Sequence, residues 1–195
     1  MIPSFNHSHV LPPYTGDSPT QVANNSPFET VPLELVGRLG SSPARRALLS
    51  GLFRYRAALR ALGFVNGFQW LDGSFVEDVE KSQGRDPGDI DVVTFARTPA
   101  GMSQTEVASL LTSHPNVFDQ ELTKEEYGCD AIVVRLDGTP EKLVRRAAYY
   151  FGLFSHRRSD NVWKGMLAMP LDADDATAVQ RLNEMEAEHA NAAAA

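Results

Sequence analysis

Apolar residues recur at helical spacing between Ser42 and Gly63, at Leu48, Leu49, Leu52, Tyr55, Leu59 and Leu62. Spacing of three and four residues puts them on one stripe of a helix. Ser42 can cap that helix, Pro43 suits its first turn and Gly63 can end it. Shorter apolar runs read as strands: Phe68 to Leu71, Ile90 to Phe95, Asp130 to Leu136, and a late one within Asn161 to Leu171 centred on Val162-Trp163-Lys164-Gly165-Met166-Leu167. Between them the pattern returns to helix. Ser103 to Ser113 starts with a capping box, Ser103 with Glu106 three residues on. A short helix over Leu122 to Tyr127, one from Thr139-Pro140 to Tyr150 or Phe154, and an acidic closing helix over Asp172 to Ala190 complete the series. Residues 1 to about 31 are rich in Pro, Asn, Ser and Thr and show no sustained period. They predict an extended arm, pinned by Ile2, Phe5, Val10 and Leu11. The expected fold is α/β (α+β), a single mixed central sheet flanked by helices. Its divisions are an extended N-terminal arm at 1–41, one domain at 42–191 and a frayed, low-complexity tail at 192–195.

Composition narrows the class without naming a function. A chain of 195 residues, 43% hydrophobic and 22% charged, suits one ordinary globular core. No apolar run reaches membrane-spanning length and no basic-then-apolar leader opens the chain, so the expectation is a cytoplasmic protein. The single cysteine, Cys129, lies in an apolar strand pattern and reads as a buried structural thiol. Five scattered histidines give no zinc-site spacing. A net charge of −7 argues against extensive non-specific nucleic-acid binding. Basic residues do cluster locally, at Arg45, Arg46, Arg54, Arg56 and Arg60 and again at Arg145, Arg146, Arg157 and Arg158. A solvated helix face is the expectation for most of them.

Candidate chemistry concentrates between Leu71 and Val93. Asp89 and Asp91 lie two apart at the start of an apolar strand and so share one face. Crowded carboxylates repel and lose hydration, which makes a cation a natural reason for the pair. Gly73-Ser74, just upstream, can turn backbone N–H groups and a hydroxyl toward a phosphate. Asp72 reads as a structural partner of that turn. Glu77, Asp78 and Glu80 add negative charge that Lys81 and Arg85 offset locally.

Gly-Ser, a spacer and Asp-apolar-Asp together resemble the nucleotidyltransferase superfamily, with its DNA polymerase beta-like fold. Met1-Ile2-Pro3-Ser4-Phe5, Val10-Leu11-Pro12-Pro13, Ser42-Pro43-Ala44-Arg45-Arg46, the stretch from Trp70 to Val76, Pro87-Gly88-Asp89-Ile90-Asp91, Phe151-Gly152 and Lys164-Gly165 are similar to a short bacterial family of nucleotidyltransferase-like domains. The resemblance covers nearly the whole chain. It implies a third carboxylate from a neighbouring strand, for which Asp130 is the candidate. It further implies Mg2+, as two ions, held by Asp89, Asp91 and Asp130 as catalytic and metal residues. Gly73, Ser74 and Lys164 become the nucleotide-binding candidates, although the strand pattern around Lys164 favours reading it as cover for a sheet edge.

The implied activity is transfer of NMP from an NTP to a hydroxyl of a protein, RNA or small molecule, as in toxin–antitoxin or phage-defence systems. Only about sixty residues follow Asp130, too few for the helical acceptor domain of many polymerase-like relatives. The acceptor would then bind the core itself, or reach it through a protein partner or homo-oligomer. The alternative is a catalytically inactive nucleotidyltransferase-fold module, antitoxin-like, that docks on another protein.

Overall fold

The computed structural model describes residues 1–193. After an irregular opening come strand β1 (Phe28–Glu29), helices α1 (Pro32–Leu39) and α2 (Pro43–Ala61), strand β2 (Gly67–Asp72), a 3-10 turn over Gly73–Val76 and helix α3 (Val79–Gln83). Strand β3 (Ile90–Ala96) follows, then helices α4 (Gln104–Ser113), α5 (Pro115–Phe118) and α6 (Gln120–Tyr127), and strand β4 (Cys129–Arg135). Helix α7 (Pro140–Phe154), strand β5 (Leu167–Pro170) and helix α8 (Ala176–Ala193) close the chain. The strands form one five-stranded mixed sheet in the order β1-β5-β2-β3-β4. β2 runs antiparallel to both β3 and β5, whereas β4 is parallel to β3 and β1 parallel to β5.

Strand alternation divides the core between the two faces of the sheet. On one face Leu71, Ile90, Val92, Cys129, Leu167 and Met169 pack with Leu35 of α1, Leu49, Leu52 and Leu59 of α2, and Leu182 of α8. On the other, Val93, Phe95 and Val134 meet Tyr150 and Phe154 of α7, with Trp70 and Phe68 against them. The Trp70 ring meets Phe95 edge-on at 4.7 Å between centroids. Cys129 is buried and its thiol is pushed up to about 12, chiefly by desolvation. Among the described residues no helix is long and apolar enough to cross a membrane.

Local signals place most elements well. Ser42 accepts a hydrogen bond from the Arg45 backbone N–H at 3.2 Å, Pro43 opens α2, and the Ser103–Glu106 capping box forms. Three expectations change. The segment 1–41 contributes edge strand β1 and helix α1, whose Leu35, Val36 and Leu39 are buried, so it is part of the folded body. The late strand is shorter than its apolar pattern and starts only at Leu167. Upstream, the N–H groups of Lys164 and Gly165 donate to Ser155 and Leu11 carbonyls at 2.8 Å, outside the sheet ladder. The arginines of α2 are mostly not solvated: Arg45, Arg46 and Arg56 are buried and ion-paired with Glu80, Glu186 and Asp175. Of the tail expected at 192–195, residues 192 and 193 belong to α8, and 194–195 lie outside the described residues.

Candidate functional site

The site grows from the way β2 and β3 end. Register pairs Asp72 with Asp91 across the antiparallel β2–β3 ladder, and Asp91 with Asp130 across the parallel β3–β4 ladder. Directly paired residues project to one face. The three carboxylates therefore form a row on the α7 side of the sheet, at its edge. After Asp72 the chain turns through Gly73, whose φ is +79°. A Cβ there would lie 2.0 Å from Asp91 Oδ2, so only glycine lets this backbone approach the carboxylate.

Above the row lies a cavity of about 290 Å³. Asp72, Gly73, Ser74, Asp89, Asp91 and Lys164 line it, and Arg85, His156, Arg157 and Arg158 close its rim. Five of the six expected site residues thus share one wall. Asp130 does not line the cavity; its Oδ1 accepts a hydrogen bond from the Gln120 side chain. It acts on the site through charge, because Asp130 and Asp89 both raise the Asp91 pKa. Asp89 carries an ion pair with Lys124 of α6 at 2.5 Å, in which the lysine is more than half exposed. With its lysine largely in solvent, the pair contributes little and yields readily to a competing cation.

Lys164 is the buried cation of the site. Its ammonium donates to the Gly73 carbonyl at 3.1 Å and Glu77 Oε1 at 2.9 Å, and stands 3.2 Å from Asp72 Oδ2. Three partners occupy its three donors. The lysine therefore pins the Gly73-Ser74 turn rather than standing free for a phosphate. Arg157 is likewise engaged, by Asp160 and the Ser8 carbonyl, whereas Arg158 is exposed and has no ion-pair partner among the described residues.

Sequence reasoning passed over several supports. Arg45 clamps the 3-10 turn, donating to the Phe75 carbonyl at 2.8 Å and the Glu77 carbonyl at 2.5 Å. A cation in the first turn of a helix opposes the helix dipole, so Arg45 at that position was itself a sign of a tertiary partner. The arm buttresses the same wall: Arg157 donates to the Ser8 carbonyl at 2.8 Å, and Val10 bridges to Glu77.

Residues 3–170 match a family described as a family of unknown function, DUF6932. The chain belongs to the DUF6932 family. No curated protein and no solved structure matches it. The matched span takes in the arm, the sheet and every residue of the cavity wall, so the site of this DUF6932 chain lies wholly within the family's shared region.

Electrostatically the wall suits a cation. Burial is the largest cause pushing the Asp72 carboxyl up to about 8, with Asp91 adding to it against the opposing pull of Lys164. Burial, then Asp89 and Asp130, pushes Asp91 up to about 6. Asp72 is 3% exposed and its Oδ1 has no hydrogen-bond partner. Such an orphaned buried oxygen costs free energy unless something binds it. Among the described residues no three His, Cys, Asp or Glu side chains stand close enough to hold an ion by themselves. The donor set fits magnesium, which takes one or two carboxylates and completes its shell with water and substrate phosphates.

These shifts give stability a definite sign with pH. Both folded carboxyls hold protons that the unfolded chain releases near its ordinary value. Stability is therefore fullest below about pH 4 for these two groups and is lost as pH rises through about 6 for Asp91 and about 8 for Asp72. Without added metal, the midpoint of thermal unfolding should fall between pH 5 and pH 8, and Asp91→Asn should flatten the fall. A rise over that window in the wild type would contradict the electrostatics described.

Proposed function

We propose that this protein is a magnesium-dependent nucleotidyltransferase that moves NMP from an NTP to a hydroxyl acceptor. The observation that carries the reading is one cavity lined together by Gly73-Ser74, by the acids Asp72, Asp89 and Asp91, and by the unpaired Arg158. Asp89 and Asp91 would hold magnesium, with Asp89 giving up its Lys124 pair. When bound, the metal neutralises the phosphates and lowers the cost of charge on the attacking and departing oxygens. Ser74 and the turn backbone hold the triphosphate, and Arg158 meets its outer oxygens. The acceptor oxygen bonds to the α-phosphorus, the bond to the bridging oxygen breaks, and pyrophosphate leaves. The hydroxyl proton passes to solvent, because Asp72 is buried and its carboxyl, pushed up to about 8, already holds a proton near neutral pH. Lys164 keeps the turn and Asp72 in position.

A second reading, a catalytically inactive module of the same fold, draws support from Asp130, which is bonded to Gln120 and lies outside the cavity wall. Calorimetry of each NTP with and without magnesium separates the two. The transferase reading expects binding that requires the metal. Well-folded protein that binds no NTP at millimolar concentration would leave the inactive module as the better account.

A further inference from the structure

Helix α7 has two unlike sides. Leu143, Ala147, Tyr150 and Phe154 pack on the sheet. On the flank of the helix, Lys142, Arg145, Arg146 and Tyr149 surround one shallow surface depression. The same stripe continues at helical spacing to Leu153, which lines the rim of the acidic cavity. From Lys142 to Leu153 the stripe is about 16 Å long at 1.5 Å per residue.

Its chemistry is unusual for this chain. Residues 140–158 hold five Lys and Arg against a single acid, Glu141, in a protein of net charge −7. Arg157 is paired with Asp160, but Lys142, Arg145, Arg146 and Arg158 have no ion-pair partner among the described residues. Large apolar side chains are interleaved and uncovered: Tyr149 is 61% exposed, and Phe151 and Leu153 about 40%. Unpaired cations within one turn of a helix, beside an open aromatic ring, suit a flexible polyanion with flat, stackable groups. An acidic protein segment would use the charges and leave Tyr149 without a matching surface.

We propose that the exposed face of α7 binds single-stranded polynucleotide and leads its end to the cavity, making a polynucleotide hydroxyl the acceptor. The role as acceptor rests on the transferase reading above; the binding does not. Lys142, Arg145 and Arg146 hold successive phosphates, Tyr149 stacks a base, and Leu153 passes the strand end toward Asp72 and Asp91. The stripe is short, so it grips a few nucleotides, in keeping with the acidic remainder of the surface.

The test is fluorescence anisotropy of labelled oligouridylate and oligodeoxythymidylate with the full chain, in the absence of metal and NTP. Wild type should bind at low salt and weaken as salt rises. Arg145→Glu with Arg146→Glu should weaken binding more than tenfold and reduce the log–log salt slope by about 1.4, two single-strand phosphate contacts. Tyr149→Ala should cost roughly fivefold or more. All three positions are exposed, and circular dichroism checks that the variants fold. A charge reversal at exposed Arg38 on α1 should leave binding intact. No binding of either strand, binding indifferent to the α7 changes, or polyglutamate bound as tightly as the oligonucleotides would overturn the proposal. Calorimetric NTP binding by the Arg145/Arg146 variant should match wild type. Oligonucleotide binding by a wild type that binds no NTP would uphold the strip and remove the transferase role alone.

Discussion

Changing Asp89 and Asp91 together to alanine should abolish magnesium-dependent NTP binding and any nucleotidyl transfer while leaving the circular dichroism unchanged. Both acids stand at the start of β3, where Ile90 between them faces the opposite, core side of the sheet. Their removal deletes charge from the cavity without touching that packing. The metal-free variant should also be no less stable than wild type. Asp91 ionises only against burial and against Asp89 and Asp130, a cost of about 3 kcal/mol near neutral pH. A site that destabilises its own empty state is poised for a ligand. Asp91→Asn, which keeps the shape, should lose transfer equally. Transfer or metal-dependent binding retained by the double variant would remove the proposed mechanism.

Much of this site was legible in the residues because its signals are local. Two acids at i and i+2 share a strand face whatever the fold, and Gly-Ser after an apolar run makes a turn at a strand end. The relation of Asp72 to Asp91 was not legible. It depends on the antiparallel β2–β3 register, which pairs residues across an eighteen-residue interval of polar loop and short helix. Lys164 failed for a related reason. Its flanking Val162, Trp163, Met166 and Leu167 look like a strand, but the Lys164 and Gly165 N–H groups are taken by Ser155 and by the arm at Leu11. The lysine then points at Glu77 and the Gly73 carbonyl instead of covering a sheet edge. The arm hid its role because irregular segments bonded through backbone atoms leave no period in the sequence. Asp130 shows the limit of motif transfer: the strand position expected of a third acid is filled, yet its side chain is held by Gln120 beside the cavity.

The arginines of α2 show how a signal can be present and still be discounted. Arg45, Leu49, Leu52, Arg56 and Leu59 follow one another at spacings of four and three, so two of the arginines fall on the apolar stripe itself. A charge on that stripe must carry its partners into the core. Arg56 does so. Its Nε meets Asp175 at 2.9–3.0 Å, Nη1 donates to Gln69 Oε1 at 2.7 Å, and Nη2 donates to the Pro170 carbonyl at 2.8 Å. Gln69 in turn donates to Thr94 Oγ1 at 2.9 Å, so one buried polar line ties α2 to β2, β3, β5 and the approach to α8. Arg56→Ala should therefore destabilise the fold by about 3–5 kcal/mol, the cost of leaving buried charge and amide unpaired. For a chain of this size that lowers the unfolding midpoint by about 6–20 °C. Asp175 keeps Arg60 as a partner, which places the expected loss toward the lower end. Arg56→Met should recover little, because it fills the space but still strands Gln69 and the Pro170 carbonyl. Arg56→Met with Gln69→Leu should recover more than either change alone, and a double-mutant cycle measures that coupling. A loss below about 1 kcal/mol for Arg56→Ala, the level of an ordinary single hydrogen bond, would mean that water replaces the guanidinium and that the polar line does not hold the sheet to α2.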